Sequence, residues 1–268
     1  MWQTHETPLG IHLVSSVVNP PEYRHGKYAM RQVLEVDAAQ VARTAGARKP
    51  RSYRRGGSKS SGQSTSENES VSGATGGSNP PDLRRMVFWD TETTGLGGPG
   101  TYVFLVGLGF FEDDAFVVRQ HFIRSPEEEP AMLQAVAEAL PQWPTMTTFN
   151  GASFDLPLLR ARLKTHKIKM DLGNVLHCDL LYGARRLWQR SLPNCRLQTL
   201  ENHILDFKRQ DDVPSAEVPG MYFKFLENGD LSSLDGVFHH NVLDIISLAG
   251  LMIAMHEQVV ETSRKSGD

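Results

Sequence analysis

The chain predicts an α/β fold: a mixed five-stranded sheet, three antiparallel strands then parallel strands, with flanking helices. Three observations carry that expectation. RMVFWDTET, TYVFLVGLGFF and AFVVRQHFI are consecutive runs rich in β-branched and aromatic residues, and only the short turn EDD separates the last two, the spacing of an antiparallel meander. Downstream, short apolar runs alternate with longer helical ones, the pattern that returns a chain to a parallel strand. An apolar fraction of 40% over 268 residues is ample for a substantial core in one large or two small domains.

The elements follow in order. IHLVSSVV reads as a strand, PPEYRHG as a turn and AMRQVLEVDAAQVARTA as a short amphipathic helix, together a partly ordered N-terminal lead-in over residues 1–46 that could pack as an annex. Residues 47–82 shift to Ser, Gly and charge with almost nothing to bury, the composition of a flexible linker. Around its front end lie Arg43, Arg48, Lys49, Arg51, Arg54, Arg55 and Lys59, interleaved with only Tyr53; this is either a solvated basic linker or a tether for phosphate backbones. The main domain spans 83–262, with a tail at 263–268. Within it PEEEPAMLQAVAEALPQ is a helix whose acidic first turn suits the positive end of its dipole. MTTFN is a fourth, buried strand, and SFDLPLLRARLKTHK a helix with Ser153 placed as N-cap. NVLHCDLL is the fifth strand, running into LLYGARRLWQRS; RLQTLENHIL and VFHHNVLDIISLAGLMIAMHEQVV are the last helices.

A net charge of −3 and a pI near 6.4 exclude a bulk positive field, so nucleic acid would have to be held by local patches. No run approaches about 18 consecutive apolar residues, and MWQTHETPLG lacks a basic stretch followed by an apolar one; a soluble, non-secreted cytoplasmic protein without membrane partners is expected, as a monomer. Cys178 and Cys195, without a CxxC pairing, read as two ordinary thiols.

The chemistry concentrates in four acidic residues: Asp90 and Glu92 in VFWDTETTGL, Asp155 in FNGASFDLPLL and Asp244 in HHNVLDIISL. Asp90 and Glu92 are two apart, so both leave the same face of an extended strand. Phe88 and Trp89 just before them alternate in direction, which puts one of the two in the core. The glycines of TTGLGGPGT, immediately after, permit tight turns. Asp155 near a helix start is also where a helix dipole would favour a carboxylate. Asp244 is harder to explain that way, because VLDIISLAGLMIAM is apolar nearly all round and a charge there needs a partner. Hard oxygen donors without Cys suit Mg²⁺ or Mn²⁺ better than zinc, and two such ions about 3.5–4 Å apart can activate water and stabilise a leaving oxygen in phosphodiester cleavage.

DTETTGL, the FNG…FD segment and HHNVLD together resemble the three motifs of the DEDD 3′-5′ exonuclease superfamily within the ribonuclease H-like fold. More closely, GGPGTYVFLVGLGFF, DLLYGARRLW, LQTLENHIL and HNVLDIISL resemble the YprB-type ribonuclease H-like family over about residues 83–257, and TPLGIHLVSSVVNPPEYRHG resembles its N-terminal lead-in. The resemblance implies 3′-5′ exonuclease activity with two divalent cations: Asp90, Glu92 and Asp244 around one, Asp90 shared with the second, and Asp155 holding a water there. Superfamily members carry a His five residues before the last Asp or a Tyr four before it; His239 and His240 fill both positions. On a continuous helix residues four apart share a face, which selects His240; His239 qualifies if it lies in an entering loop. The pair His240 and Asn241 resembles the YprB-type form. An imidazole with a pKa near 6.5 can accept a proton at neutral pH.

Six residues complete a candidate substrate-binding set: Thr91 and Thr93 between and beside the carboxylates, Asn150 and Gly151 after the fourth strand, and Arg185 and Arg186 as phosphate contacts. Trp188 would stack on a base or complete the core. Arg209, Asp211 and Asp212 resemble a loop of the family. The expected partner is nucleic acid, DNA or RNA, at single-stranded 3′ ends. Competing classes are a binding module that no longer cleaves and a phosphoesterase acting on small nucleotides.

Overall fold

The computed structural model describes residues 1–49, 82–95, 97–98 and 100–265. The basic residues Arg51, Arg54, Arg55 and Lys59, with Tyr53 and most of the expected linker, lie outside that set. The chain opens with a hairpin, β1 (Gln3–Thr7) and β2 (Gly10–Asn19). A tight second hairpin follows, β3 (Arg24–His25) and β4 (Tyr28–Ala29), turned by Gly26 at φ 60°. The single helix expected next divides into a 3₁₀ turn over Met30–Glu35 and α1 (Ala38–Ala45), because the Asp37 carboxylate accepts from the Gln40 amide and caps a new start.

The meander forms as expected: β5 (Met86–Thr93), β6 (Val103–Glu112) and β7 (Ala115–Phe122). Then come α2 (Glu129–Ala139), β8 (Thr145–Thr148), α3 (Asp155–Thr165), β9 (Leu176–Asp179), α4 (Leu180–Trp188), α5 (Leu197–Leu200), a π-helical turn over Glu201–Leu205, α6 (Val218–Asn228) and α7 (Asp235–Lys265). Glu129 is not a dipole partner at the surface. It is fully buried, where it accepts from the Val103 amide (3.1 Å) and pairs with Arg162 and His166, tying α2 and α3 to the start of β6.

Among the described residues the sheet has seven strands, not five, in the order β1-β2-β7-β6-β5-β8-β9, with β5, β8 and β9 parallel. The two additional strands come from the N-terminal lead-in: β2 pairs antiparallel with β7 from Leu13↔Phe122 to Asn19↔Phe116. The lead-in is therefore part of the sheet and covers what would be a free edge of β7. The chain also bridges β9 at Arg48↔His177. Apolar side chains alternate to two cores, one on each face. Trp89 lies in one, among residues of α2, α3 and α6; Phe88 lies in the other, under α1, α4 and α7, so both aromatics are core residues. Helix α7 is long and apolar enough to cross a bilayer, with a mean hydropathy of 1.5 over its best window, but 89% of that window is buried inside the protein. It is the axis of the second core.

Four histidines are buried uncharged. Burial, the largest influence on each, lowers the pKa of His12 and His177 to about 4 and of His25 and His121 to about 3. His12 Nε2 and His121 Nδ1 share one hydrogen bond of 2.9 Å beneath the sheet's end. Below pH 6.5 the unfolded chain takes up protons that the folded chain refuses, so stability falls as pH drops, by at most about 1.4 kcal/mol per pH unit for each histidine. The raised carboxylates of the acidic cluster oppose this trend, so the test is a difference. By calorimetry, Tm of His121→Gln should fall less, or rise more, than that of wild type between pH 6.5 and pH 4; an unchanged slope would show that this ring does not control acid stability.

Candidate active site

One strand and two helices bring the carboxylates together: β5 carries Asp90 and Glu92, α3 begins at Asp155, and α7 carries Asp244. Asp90 and Glu92 sit on β5 opposite Gly107 and Leu105 of β6 and share a face, as their spacing requires. At Gly107 a Cβ would lie 2.3 Å from Asn241 Oδ1 and from Ile245 Cδ1, so glycine alone lets α7 lie against the strand here. Asn241 uses that approach. Its Nδ2 donates to Asp90 (2.9 Å), while its Oδ1 accepts from Gln120 on β7 (3.0 Å), next in the same cross-strand row. The amide is thereby held with its donor toward the carboxylate.

Asp155 is the first residue of α3, and its carboxylate accepts from Thr91 Oγ1 (2.5 Å). Ser153 does not cap that helix. Phe154 takes the N-cap place without a side-chain bond, and the turn is instead stapled by Asp179, which accepts from the amides of Asn150 (2.8 Å) and Ala152 (3.0 Å). Gly151 is buried with Thr148 2.6 Å from where its Cβ would be, again a close approach. Thus Asp179 sets the loop that delivers Asp155.

Helix α7 is continuous through both histidines, which decides their directions. His240 is buried and faces Asp244, four residues on: Nε2 is 3.6 Å from Asp244 Oδ2. His239 is exposed and lines a separate groove with Trp2, Val17 and Tyr23. One set of donor atoms from Glu92, His240 and Asp244 lies mutually within 4.8 Å, close enough to hold one cation.

The electrostatics fit a cation. Burial first, then the charges of Asp244, Glu92 and Asp155, push Asp90 well above the usual carboxylate range, against the hydrogen bond from Asn241. Glu92 is raised in the same way by burial, Asp244 and Asp155, with Arg209 opposing. Burial raises Asp155 to about 6 in spite of the Thr91 bond. These groups raise one another's affinity for positive charge. Oxygen donors in this number, with one imidazole, form a set that a hard divalent ion would fit.

A second layer surrounds the acids. Arg209, 4% exposed, pairs with Glu201 through two bonds of 2.7 and 2.5 Å, with Asp212 at 3.0 Å, and with Asp244 Oδ1. Burial pulls the Arg209 pKa down, but Glu201 and Asp244 outweigh it and the net direction is up. His240 Nδ1 is 2.8 Å from Asp212 Oδ1. Burial alone would raise Asp212, yet His240 and Arg209 hold it below its ordinary value. An ionised carboxylate has nothing to donate, so Nδ1 carries a proton toward Asp212, and Nε2 is the ring nitrogen turned to Asp244.

The remaining sequence candidates divide. Thr91 lies within the cluster, whereas the Thr93 hydroxyl closes a turn on the Gly95 carbonyl (2.7 Å). Asn150 is exposed at φ 63° beside the Asp155 turn. Arg186 is committed to the carbonyls of Thr44 (2.6 Å) and Arg43 (3.3 Å) at the end of α1, while Arg185 is exposed on α4. Trp188 is 5% exposed and belongs to the core under α7. Glu201, Asp179 and the pairing of Asp212 with His240 were not singled out by sequence; Glu201 and Asp179 are buried, which no signal in the sequence shows.

The fold and site together match a family model described as the RNase_H superfamily over residues 87–256, and the chain belongs to that superfamily. Within it the chain is 36% identical over 180 residues to "Uncharacterized protein YprB" of Bacillus subtilis (strain 168), which makes it a YprB-type ribonuclease H-like protein. That match takes in 66% of this chain and 43% of the relative, so the chain spans less than half of the relative's length. Among solved structures, the family B DNA polymerase of the hyperthermophilic archaeon Pyrobaculum calidifontis is similar at a TM-score of 0.49 and 17% identity, over 66% of this chain and 25% of the polymerase. A structure titled "apo form of the nuclease" is similar at 0.45 and 17%, over 68% and 76%.

Proposed function

We propose that this protein is a nuclease of the DEDD type, a 3′-5′ exonuclease that hydrolyses phosphodiester bonds of DNA or RNA with two divalent cations, Mg²⁺ or Mn²⁺. The carrying observation is the convergence of Asp90, Glu92, Asp155 and Asp244 beside the His240 imidazole, whose Nε2 is 3.6 Å from Asp244 Oδ2. Asp90, Glu92 and Asp244 would hold one ion, with Asp90 shared by the second and Asp155 acting through water. Bound there, such ions would supply a more acidic water and neutralise charge on the phosphate.

The chain's own part is proton transfer and orientation. His240 Nε2 accepts the proton of the attacking water, and Asp212 keeps Nδ1 protonated so that the lone pair stays on the reacting side. Asn241 fixes Asp90, and Thr91 fixes Asp155. Asn150 and Gly151 border the Asp155 turn and are the proposed neighbours of the terminal nucleotide.

A time course with end-labelled single-stranded DNA and RNA in Mn²⁺ tests this reading. The expected product pattern is a ladder descending from the 3′ end; internal cuts without that ladder would exclude an exonuclease. His240→Ala should lower kcat by about 10²- to 10⁴-fold, while His239→Ala should leave it within about twofold. Equal effects of the two substitutions would remove His240 from the role of base.

A further inference from the structure

Arg209 stands at the junction of two chains of contacts. On one side its guanidinium grips Asp244 Oδ1, leaving Oδ2 turned to His240, and grips Asp212, which holds His240 Nδ1. On the other side it is held by Glu201, whose Oε1 also accepts from Ser247 Oγ (2.5 Å). Ser247 in turn is 2.7 Å from His25 Nε2 in the N-terminal hairpin. Since Ser247 donates to Glu201, it must accept from His25, which fixes the proton of His25 on Nε2. The members on this second side are buried: His25, Glu201 and Ser247 are all 0% exposed.

The hairpin is docked on the element that carries Glu201. Lys27 N donates to the Leu205 carbonyl (2.9 Å), a Cβ on Gly26 would lie 2.0 Å from that same oxygen, and the His25 ring rests on Phe207 at 3.9 Å. Leu205 ends the π-helical turn that Glu201 begins, and such turns interrupt ordinary helices frequently where function needs a displaced side chain. The planar guanidinium is suited to the task, because it binds several carboxylates in fixed directions at once.

We propose that Arg209 is a positioning residue, fixing Asp244 and His240 relative to each other, and that the N-terminal hairpin is its buttress through His25, Ser247 and Glu201. The lead-in then belongs to the catalytic apparatus. This rests on the nuclease reading above, but the arrangement itself can be read without turnover.

The test compares wild type, Arg209→Lys, the double variant Glu201→Gln with Arg209→Gln, and His25→Leu. The double variant removes Arg209 together with Glu201, its fully buried partner, while Asp212 keeps its contact with His240; circular dichroism checks that the fold is retained. Mn²⁺ affinity by calorimetry, kcat and KM on a short oligonucleotide, and the pH profile of kcat are recorded on the full chain. In the double variant both Mn²⁺ affinity and kcat should fall about 10- to 100-fold, as for other residues that orient ligands, with KM nearly unchanged. The pH profile should shift, since Asp212, which holds His240 Nδ1, loses its contact with Arg209. Arg209→Lys should recover part of the loss, and His25→Leu should lower both quantities in the same direction while leaving circular dichroism unchanged. A folded double variant with wild-type Mn²⁺ affinity and kcat would reduce the network to an ordinary ion pair. A raised KM with unchanged kcat would make Arg209 a substrate contact and overturn the proposal. If wild type hydrolysed nothing, the nuclease reading would fail, while the calorimetric comparison would still decide the role of Arg209.

Discussion

Asp90→Asn is expected to cut hydrolysis by about 10²- to 10³-fold and, in EDTA, to raise Tm. The loss follows from the central place of this carboxylate, which is raised by burial and by three acidic neighbours and would be relieved by a counter-cation. The gain follows from linkage. A carboxylate whose folded-state pKa lies above its unfolded value contributes stability that is complete below the unfolded pKa and lost as pH rises through the folded one. At pH 7, well above the ordinary carboxylate range, Asp90 therefore weakens the metal-free fold. Asparagine keeps the shape and still accepts from Asn241 Nδ2 through its carbonyl, while the repulsion disappears. A relief of about 1–2 kcal/mol corresponds to about 2–8 °C in a domain of this size. Adding Mn²⁺ should reverse the order, raising wild type by mass action and the variant little. Thermal scans in EDTA and in Mn²⁺, beside the hydrolysis assay, check both halves. A variant that stays active, or that melts below wild type in EDTA, would contradict the proposed metal site.

Gly107→Val should cost about 3 kcal/mol or prevent folding, although it replaces a strand glycine by a better strand former. Valine's Cβ would start 2.3 Å from Asn241 Oδ1 and Ile245 Cδ1, so α7 must move away from β6. Any folded fraction would then have Asn241 lifted off Asp90 and Asp244 withdrawn from Glu92. Gly220→Ala, in α6 with nothing within 4 Å of its Cβ, is the matched control and should be neutral or slightly stabilising. Urea unfolding of the two variants gives the comparison; equal stabilities would show that the helix approach is not constrained by this residue.

How much the sequence reveals depends on the range of each interaction. The meander, the parallel strands and the face shared by Asp90 and Glu92 follow from local periodicity, and the structure bears out those elements. The N-terminal strand was legible, but its partner was not: pairing β2 with β7 joins residues about a hundred positions apart, and nothing in IHLVSSVV specifies which edge it will cover. The same holds for the site. Three segments could be matched by resemblance, and the choice between His239 and His240 needed the helix start, which lies at Asp235, ahead of both. Ser153 had the right residue type for a cap, yet Asp179 from another strand supplied the oxygens. Arg209 lies 35 positions from Asp244, in a loop whose composition alone gives no hint that its guanidinium turns inward.

The continuity of α7 has a consequence for what sequence change the protein can absorb. His240, Asn241, Asp244 and Ser247 reach the clustered acids, the sheet and the Arg209 network from one uninterrupted rod. Each residue turns an α-helix by about 100°, so a single insertion or deletion between His240 and Ser247 would swing one end of that group by about 100°, off the face that meets its partners. Point substitutions can be compensated by neighbours; a change of phase cannot. Length between these four positions is thus under tighter constraint than the identity of the residues that separate them.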